Sequence, residues 1–531
     1  MLGRLWRCPA ALIFIFFVCF YGFFNAGHTG SPDEEQLILQ THALLHGHFT
    51  VQIPADAHGV VSARKLPDGK LVPTRGLGQS IVAAPFYLVG RIASIPVHGP
   101  QRDAVVRFFL LFTNSFVTAG IAVVLYALCR ELGASVRGST IVALGYGIGT
   151  LAWPHAENFF TEPLSTLFVT TAFTLVIAGT RRNRLDLVVA AGLAAGAAPF
   201  SRVNDLIFLP IFGVALCCIV WARERARRDL ARLVRMPLAF GAGAAAALAV
   251  WMITNQLRYG SPTDLGYSTK NLNAPVLVGL KGYIVSPSRS LILHAPLILV
   301  ALVALPIAFR RRPAVAATAL VATFANMYVF AHSKDWWGGQ AWGPRFLDIT
   351  LPLVVALAAF VVDRVPWRRC LLALVAVGCA INFLGVAIFY NAYYDYANNK
   401  LTQQGNKPHA YVAKTRDDWY WAPIAGHARL LESVAKNTWR RIDGEDKSIT
   451  PLPSAIRVQY FWWDSPIQLN VWWAWWLPMG APGGFLVLAP LLLAGAIVAA
   501  LQLRKRTRPV APDPTEPDEP DDSDALVPAP A

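Results

Sequence analysis

Gly76-Leu77-Gly78-Gln79-Ser80-Ile81-Val82-Ala83-Ala84-Pro85-Phe86-Tyr87-Leu88-Val89-Gly90-Arg91-Ile92-Ala93-Ser94-Ile95 is the stretch on which the topology turns. It is nearly as long as the roughly 20 apolar residues that cross a bilayer. Its Gly76, Gly78, Pro85 and Arg91 suit a helix that lies in the interface or re-enters it. Which of the two it does decides the side of the membrane on which every polar loop falls.

The rest of the chain sets the terms of that choice. Of its 531 residues, 55% are hydrophobic and 15% are charged, and long apolar runs recur from Pro9 to Leu503. That excludes a soluble globular chain and describes an all-α polytopic membrane protein. A net charge of +15 would point to nucleic acid in a soluble protein, but here the basic residues gather in short loops between spans, as cytoplasmic anchors do. They are Arg130/Arg137, Arg181/Arg182/Arg184, Arg223 to Arg235, Arg310/Arg311/Arg312, Arg364/Arg368/Arg369 and Arg504/Lys505/Arg506/Arg508. No nucleic-acid partner is expected. The 7 cysteines all lie in or beside apolar runs, so neither a disulfide framework nor a thiolate metal site is expected.

The run Pro9 to Gly27 follows Arg4 and Arg7, has no convincing cleavage site, and reads as a retained span. Placing every arginine cluster inside predicts spans near 9–27, 104–129, 139–153, 163–180, 187–200, 206–221, 236–255, 291–309, 313–331, 347–363, 370–391 and 476–503. That is a bundle of about twelve with both termini cytoplasmic, and residues 76–95 must then lie on the outer surface. In the alternative the N-terminus is outside, which misplaces only Arg4 and Arg7, makes 76–95 a true span and moves Asp33 to the cytoplasm. Residues 1–508 form one transmembrane unit, with 28–103 as first and 392–475 as last outer loop. Residues 509–531, rich in proline and acids, read as a disordered cytoplasmic tail.

The outer loops carry the ionisable groups. In the first, Gly30-Ser31-Pro32-Asp33-Glu34-Glu35-Gln36 opens a helix with Ser31 as N-cap and Pro32 at its first position. Acids favour a helix N-terminus on electrostatic grounds alone; three of them abutting a span are also a candidate active site. His42, His46 and His48 follow, an i,i+4 pair capable of metal ligation but without a nearby acid at matching spacing. The second loop, Trp153 to Pro163, holds His155, Glu157 and Glu162, the last equally suited to capping the next span. The short pair 187–200 and 206–221 implies that its turn Ser201-Arg202-Val203-Asn204-Asp205 is recessed, with Arg202 facing either Asp205 or an anion. Later loops add Arg258, Arg289 and Trp336-Trp337-Gly338-Gly339-Gln340-Ala341-Trp342-Gly343-Pro344-Arg345-Phe346, where glycines let backbone approach a ligand and Arg345 offers a fork for phosphate oxygens. Trp462, Trp463, Trp472, Trp473, Trp475 and Trp476 read as an interfacial belt.

An acidic pair directly after the first span, a surface helix led by Arg75, a second acid after the third span and arginines in later outer loops resemble the GT-C glycosyltransferases, whose members include protein O-mannosyltransferases and lipid A aminoarabinose transferases. Closest in wording are Thr150-Leu151-Ala152-Trp153-Pro154 to Thr161-Glu162-Pro163-Leu164, Arg258-Tyr259-Gly260-Ser261-Pro262, Ser286-Pro287-Ser288-Arg289 and Trp342-Gly343-Pro344-Arg345-Phe346, as in a bacterial branch whose substrates mostly lack assignment. The resemblance implies a GT-C-like bundle with membrane-surface helices in the first outer loop. It also implies an enzyme that moves a sugar from a polyprenyl-phosphate carrier to a lipid, glycan or protein acceptor on the outer side of the inner (cytoplasmic) membrane, with inversion. Asp33 would be general base, Glu34 its partner at the acceptor, and Glu162 or Glu157 the second acid. Arg75, Arg202, Arg289 and Arg345 would stabilise the phosphate leaving group, with His155 and Arg258 as further substrate contacts. No cofactor is expected, and with several arginines facing the phosphate a divalent metal is allowed but not required. Two rivals stand: a flippase of lipid-linked saccharides, against which no repeated halves are found, and an O-antigen ligase or polymerase type, which would centre on His409 and His427.

Overall fold

The computed structural model describes residues 8–53, 63–98, 100–224, 229–266, 273–407, 409–444, 469–477 and 486–507. The expected tail at 509–531, together with Arg4, Arg7, Trp462 and Trp463, lies outside them.

The first span is α1 (Pro9–Phe24), and after a short extended stretch comes α2 (Pro32–Leu45). Ser31 caps α2 by accepting the Glu34 amide at 3.3 Å, with Pro32 at the first position, as the sequence implied. A two-stranded antiparallel hairpin, β1 (Ala63–Lys65) and β2 (Leu71–Pro73), leads to α3 (Gly78–Ala93). α3 has 16 residues, as many as α1, so its length alone does not tell a surface helix from a span. Its Ala83, Tyr87 and Gly90 pack inward, while Ile81, Leu88, Val89 and Ile92 are exposed along one side. Such an apolar stripe beside a packed face suits a helix lying on the membrane surface.

The bundle proper runs through α4 (Pro100–Glu131), α5 (Val136–Gly149), the single turn α6 (Ala152–Ala156), α7 (Glu162–Arg182), α8 (Leu185–Ala197), α9 (Phe208–Glu224) and α10 (Leu230–Tyr259). It continues with α11 (Val276–Val285), α12 (Leu291–His294), α13 (Ile298–Arg311), α14 (Pro313–Ala331), the short buried α15 (Leu351–Val355) and α16 (Val365–Ala387). The last outer loop supplies α17 (Tyr390–Gln403), α18 (Ala410–Asp417), α19 (Pro423–Ile442) and α20 (Trp472–Trp476), and α21 (Leu488–Arg506) closes the bundle.

Among the described residues, 7 helices are long and apolar enough to cross a membrane, so the chain is a multi-pass, predominantly helical membrane protein. The remaining predicted spans take shorter or broken forms. The span expected at 291–309 divides into α12 and α13, because Pro296 has no amide hydrogen for the helical ladder and disfavours helix before itself. The span expected at 347–363 is a 3-10 turn, the five-residue α15 and a second 3-10 turn, all buried; Pro352 interrupts the same ladder.

Close backbone approach joins α8 to α10. A Cβ on Gly192 would meet the Phe240 carbonyl at 2.0 Å, one on Gly196 the Ala244 carbonyl at 2.7 Å, and one on Gly243 the Val189 carbonyl at 2.1 Å. Glycines four apart on one helix face produce this kind of contact in membrane bundles.

The tryptophan-rich end of the last loop departs from the expected belt. Trp472 is fully buried, its indole donating to the Gly22 carbonyl at 3.0 Å, and Trp476 is buried beside it. Both rings lie within about 5 Å of the Phe108 centroid. The segment therefore clamps the end of α1 from within the fold, since a buried indole N–H needs the acceptor that Gly22 supplies.

Candidate active site

Four segments converge on the N-terminal end of α2. Asp33 stands in the first turn of that helix and pairs with Arg75, which lies between β2 and α3. Arg345, in the Gly-rich loop after α14, reaches Asp33 at 3.7 Å with one nitrogen and Glu162, first residue of α7, at 3.6 Å with another. Glu162 in turn binds Arg202 at 2.5 Å. The recessed turn between α8 and α9 thus points its arginine to α7 and not to Asp205. Glu162 is 2% exposed, whereas Asp33 and Arg75 keep 25% of their side-chain surface open. The cluster therefore has a closed floor and an accessible mouth.

Arg345 is held without being saturated. Its guanidinium lies over the rings of Phe160 at 4.6 Å and Phe346 at 5.0 Å, and its Nε is buried with no hydrogen-bond partner. Both carboxylate distances exceed hydrogen-bond length. Three left-handed glycines, Gly338, Gly339 and Gly343, with φ of 79°, 69° and 62°, turn the loop that carries it; residues with a Cβ avoid that region.

Other residues expected to touch substrate are spent on scaffolding. Glu34 is buried and accepts the amides of Gly30 and Phe159, both at 2.7 Å, tying the first outer loop to the second. Burial, opposed by those two amides, pushes its carboxyl up to about 7. Glu35 pairs with Arg107 of α4 at 2.7 Å and accepts the Thr29 hydroxyl, so the third acid is an anchor between helices. Arg289, 1% exposed, donates to the carbonyls of Gly339, Ala341 and Gly343 and to the Tyr394 hydroxyl at 2.6–2.8 Å. It clamps the Gly-rich loop from behind, in place of the phosphate contact expected of it. Arg258 likewise donates to the carbonyls of Pro73 and Arg75 at 2.8 Å and fixes the backbone that presents Arg75.

The second outer loop is also pinned. His155, expected at the substrate, is buried between Asp348 and the Trp342 carbonyl, each at 3.3 Å. Glu157 is buried, which raises its carboxyl well above the ordinary range, and of the two acids Glu162 is the one that meets Arg202 and Arg345. Asn114 of α4 donates to the carbonyls of Asn158 and Phe160 and accepts from Gln79 of α3 at 2.8 Å, which places Phe160 under Arg345.

His427 is fully buried, 5.0 Å from the Trp342 ring and 4.9 Å from Tyr393, and burial lowers its imidazole to about 4. A neutral, enclosed imidazole supports the Gly-rich loop and is a poor centre for the ligase-type alternative. His42 meets the Tyr87 hydroxyl at 2.9 Å. Among the described residues no three histidine, cysteine or acidic groups converge as metal ligands. Asp33 and Glu162 face guanidinium groups, a donor set that does not fit a divalent ion, and no chemical step is routed through one.

Sequence reasoning missed Arg107, Asn114 and Tyr390. Tyr390 opens α17, is 3% exposed, and has a hydroxyl with no hydrogen-bond partner. A lone polar side chain inside or beside an apolar run was the available signal for all three.

No family profile matches the chain, and neither does any curated protein. Among solved structures the chain is similar to ArnT from Cupriavidus metallidurans in two crystal structures. Bound to undecaprenyl phosphate, that protein matches at 13% identity over 94% of this chain and 74% of its own, with a TM-score of 0.46. In the apo state the values are 14%, 85%, 82% and 0.49. The chain is also similar to the oligosaccharyltransferase AglB from Archaeoglobus fulgidus, in complex with an inhibitory peptide and a dolichol-phosphate, at 13% identity over 85% of this chain and 59% of that one, with a TM-score of 0.38.

Proposed function

We propose that the chain transfers a sugar from a polyprenyl-phosphate carrier to an envelope acceptor on the outer face of the inner membrane. One observation carries this reading. The Arg345 guanidinium lies over two phenyl rings and within 3.7 Å of both Asp33 and Glu162, yet makes no hydrogen bond among the described residues. A planar guanidinium held that way is prepared for phosphate oxygens. The sequence resemblance to GT-C enzymes supports the same chemistry.

In this reading each residue of the cluster has a part. Asp33, at the open mouth, takes the proton as an acceptor hydroxyl oxygen attacks the anomeric carbon. The new C–O bond forms as the bond to the phosphate oxygen breaks, and that electron pair leaves on the phosphate. Arg345 and Arg75 stabilise the growing negative charge. Glu162 and Arg202 keep Arg345 in place from below. Attack opposite the leaving group inverts the anomeric centre. In this reading the guanidinium groups supply the positive charge that the leaving phosphate needs, so a divalent metal is not required.

The test is transfer by the purified full-length chain in nanodiscs, given polyprenyl-phosphate-linked sugars and envelope lipids. Asp33→Asn is expected to lower the rate by about 10²- to 10⁴-fold while leaving donor binding in place. Retained transfer in that variant would remove the base assignment. In sealed proteoliposomes, movement of the lipid-linked sugar across the bilayer without transfer would replace the enzyme by a flippase.

A further inference from the structure

Tyr390 is the polar group of the site that none of the steps above uses. Its ring is buried in a cluster with Phe160, Ala341 and Phe389, its centroid 6.4 Å from that of Phe160 and 4.9 Å from that of Phe389. Phe160 is the ring on which Arg345 rests, at 4.6 Å. The charges that act on the phenol are those of Glu34, Arg345, Asp33 and Glu162, the members and near neighbours of the catalytic cluster. The backbone beside it is fixed, because Asn391 donates its side-chain amide to the Gly30 carbonyl, one residue before the N-cap of α2.

A fully buried hydroxyl without a partner is rare, because the desolvated donor goes unrewarded. Several other buried tyrosines have a partner, whereas Tyr146 of α5 shares the unpartnered state of Tyr390. Tyr393 donates to the Trp421 carbonyl at 2.8 Å, Tyr283 to Trp336 at 2.6 Å, and the Tyr394 oxygen takes a hydrogen from Arg289. Burial and the facing carboxylates raise the Tyr390 phenol well above its ordinary value, so it keeps its proton. It is therefore a neutral donor, held rigidly, beside an unsaturated guanidinium.

We propose that Tyr390 is a further catalytic residue, whose hydroxyl donates a hydrogen bond to a phosphate oxygen of the lipid-linked donor alongside Arg345. A neutral donor adds directed stabilisation to the leaving phosphate without adding charge that would pull the Asp33 carboxylate further from its acceptor. This inference rests on the phosphate-donor reading above, and its test is chosen to separate the two. Tyr390→Phe retains the ring and its packing, so the melting temperature of the variant in detergent should match that of the natural chain.

Three measurements follow on the natural chain and on Y390F: binding of a sugar-free polyprenyl phosphate, the phosphorus NMR shift of that bound lipid, and steady-state transfer. The variant is expected to bind the lipid about tenfold more weakly, to shift the phosphorus signal towards that of the free lipid, and to lose about 10- to 100-fold in kcat. Unchanged binding and an unchanged phosphorus signal in Y390F would overturn the role of Tyr390, even if transfer were slowed. An effect confined to the KM of the acceptor would also overturn it, by moving the hydroxyl to the acceptor. If the natural chain binds no polyprenyl phosphate, the donor reading itself falls.

Discussion

Glu34 shows how far environment separates three consecutive acids. Asp33 is open to a ligand, Glu34 is sealed between two backbone amides, and Glu35 is bound to Arg107. The Glu34 carboxyl is raised from its ordinary 4.5 to about 7, so the folded chain holds this proton more tightly than the unfolded chain. Its contribution to stability is complete below about pH 4.5 and is lost as the pH rises through 7. The span corresponds to about 3 kcal/mol. Glu34→Gln cannot titrate. The melting-temperature gap between the natural chain and this variant should be widest near pH 4.5 and narrow towards pH 8; a constant gap would show that Glu34 does not titrate in this window. At Arg289 the relevant quantity is position. Arg289→Lys keeps the charge but cannot hold three carbonyls and a phenol oxygen from one planar fork, and it is expected to reduce kcat about tenfold through displacement of the Arg345 loop. Polyprenyl phosphate binding should fall with it, and the Arg345→Lys variant should gain nothing further when the two are combined.

Among elements, α2 depends on α4 for its orientation through the Glu35–Arg107 pair, which is 7% and 14% exposed. Glu35→Ala removes one carboxylate from Arg107 but leaves it Asp103 at 2.5 Å, so it should destabilise the fold by about 1–3 kcal/mol. The double variant with Arg107→Ala should cost less than the two changes added together, as read from denaturation in mixed detergent. Additive costs would mean that the pair does not couple. The α8–α10 contact makes a second test. With Gly192 against the Phe240 carbonyl at 2.0 Å, Gly192→Leu must push the two helices apart. That would carry the turn holding Arg202 away from Glu162 and lower both stability and transfer. The glycine spacing was present in the sequence, but which helix it faced was not, because small residues on a helix specify closeness without naming a neighbour.

At the scale of the whole molecule, the sidedness of the first outer loop governs the proposal. Thr29 is buried and donates to Glu35, so a label there would report burial. Gln52 is exposed in the same loop, and Arg312 is exposed between α13 and α14. In a cysteine-free background, Gln52→Cys should react with an impermeant thiol reagent in intact spheroplasts, and Arg312→Cys only after lysis. The reverse pattern would put the acids in the cytoplasm and undo the mechanism. The exposed apolar stripe of α3 beside its packed face favours the first result, in line with the distribution of arginines.

Composition and apolar periodicity were enough to specify a helical polytopic protein, because burying backbone in lipid leaves helices as the economical solution. The Ser31-Pro32 start of α2 was legible as well, since capping is a local matter of one side chain and its next three amides. The residues of the site were recognisable as polar groups at span ends, and Asp33, Arg75, Glu162, Arg202 and Arg345 do meet. What the chain's order could not supply was the division of labour among similar groups. Arg289 and Arg345 read alike in sequence, yet one is consumed by four hydrogen bonds and the other by none. Tyr390 acquires meaning only from Phe160, more than two hundred residues earlier. Hydrophobicity and capping act over a few residues and can be read along the chain, whereas the desolvation and pairing of a charge depend on which distant segments pack against it. Tertiary structure alone decides that.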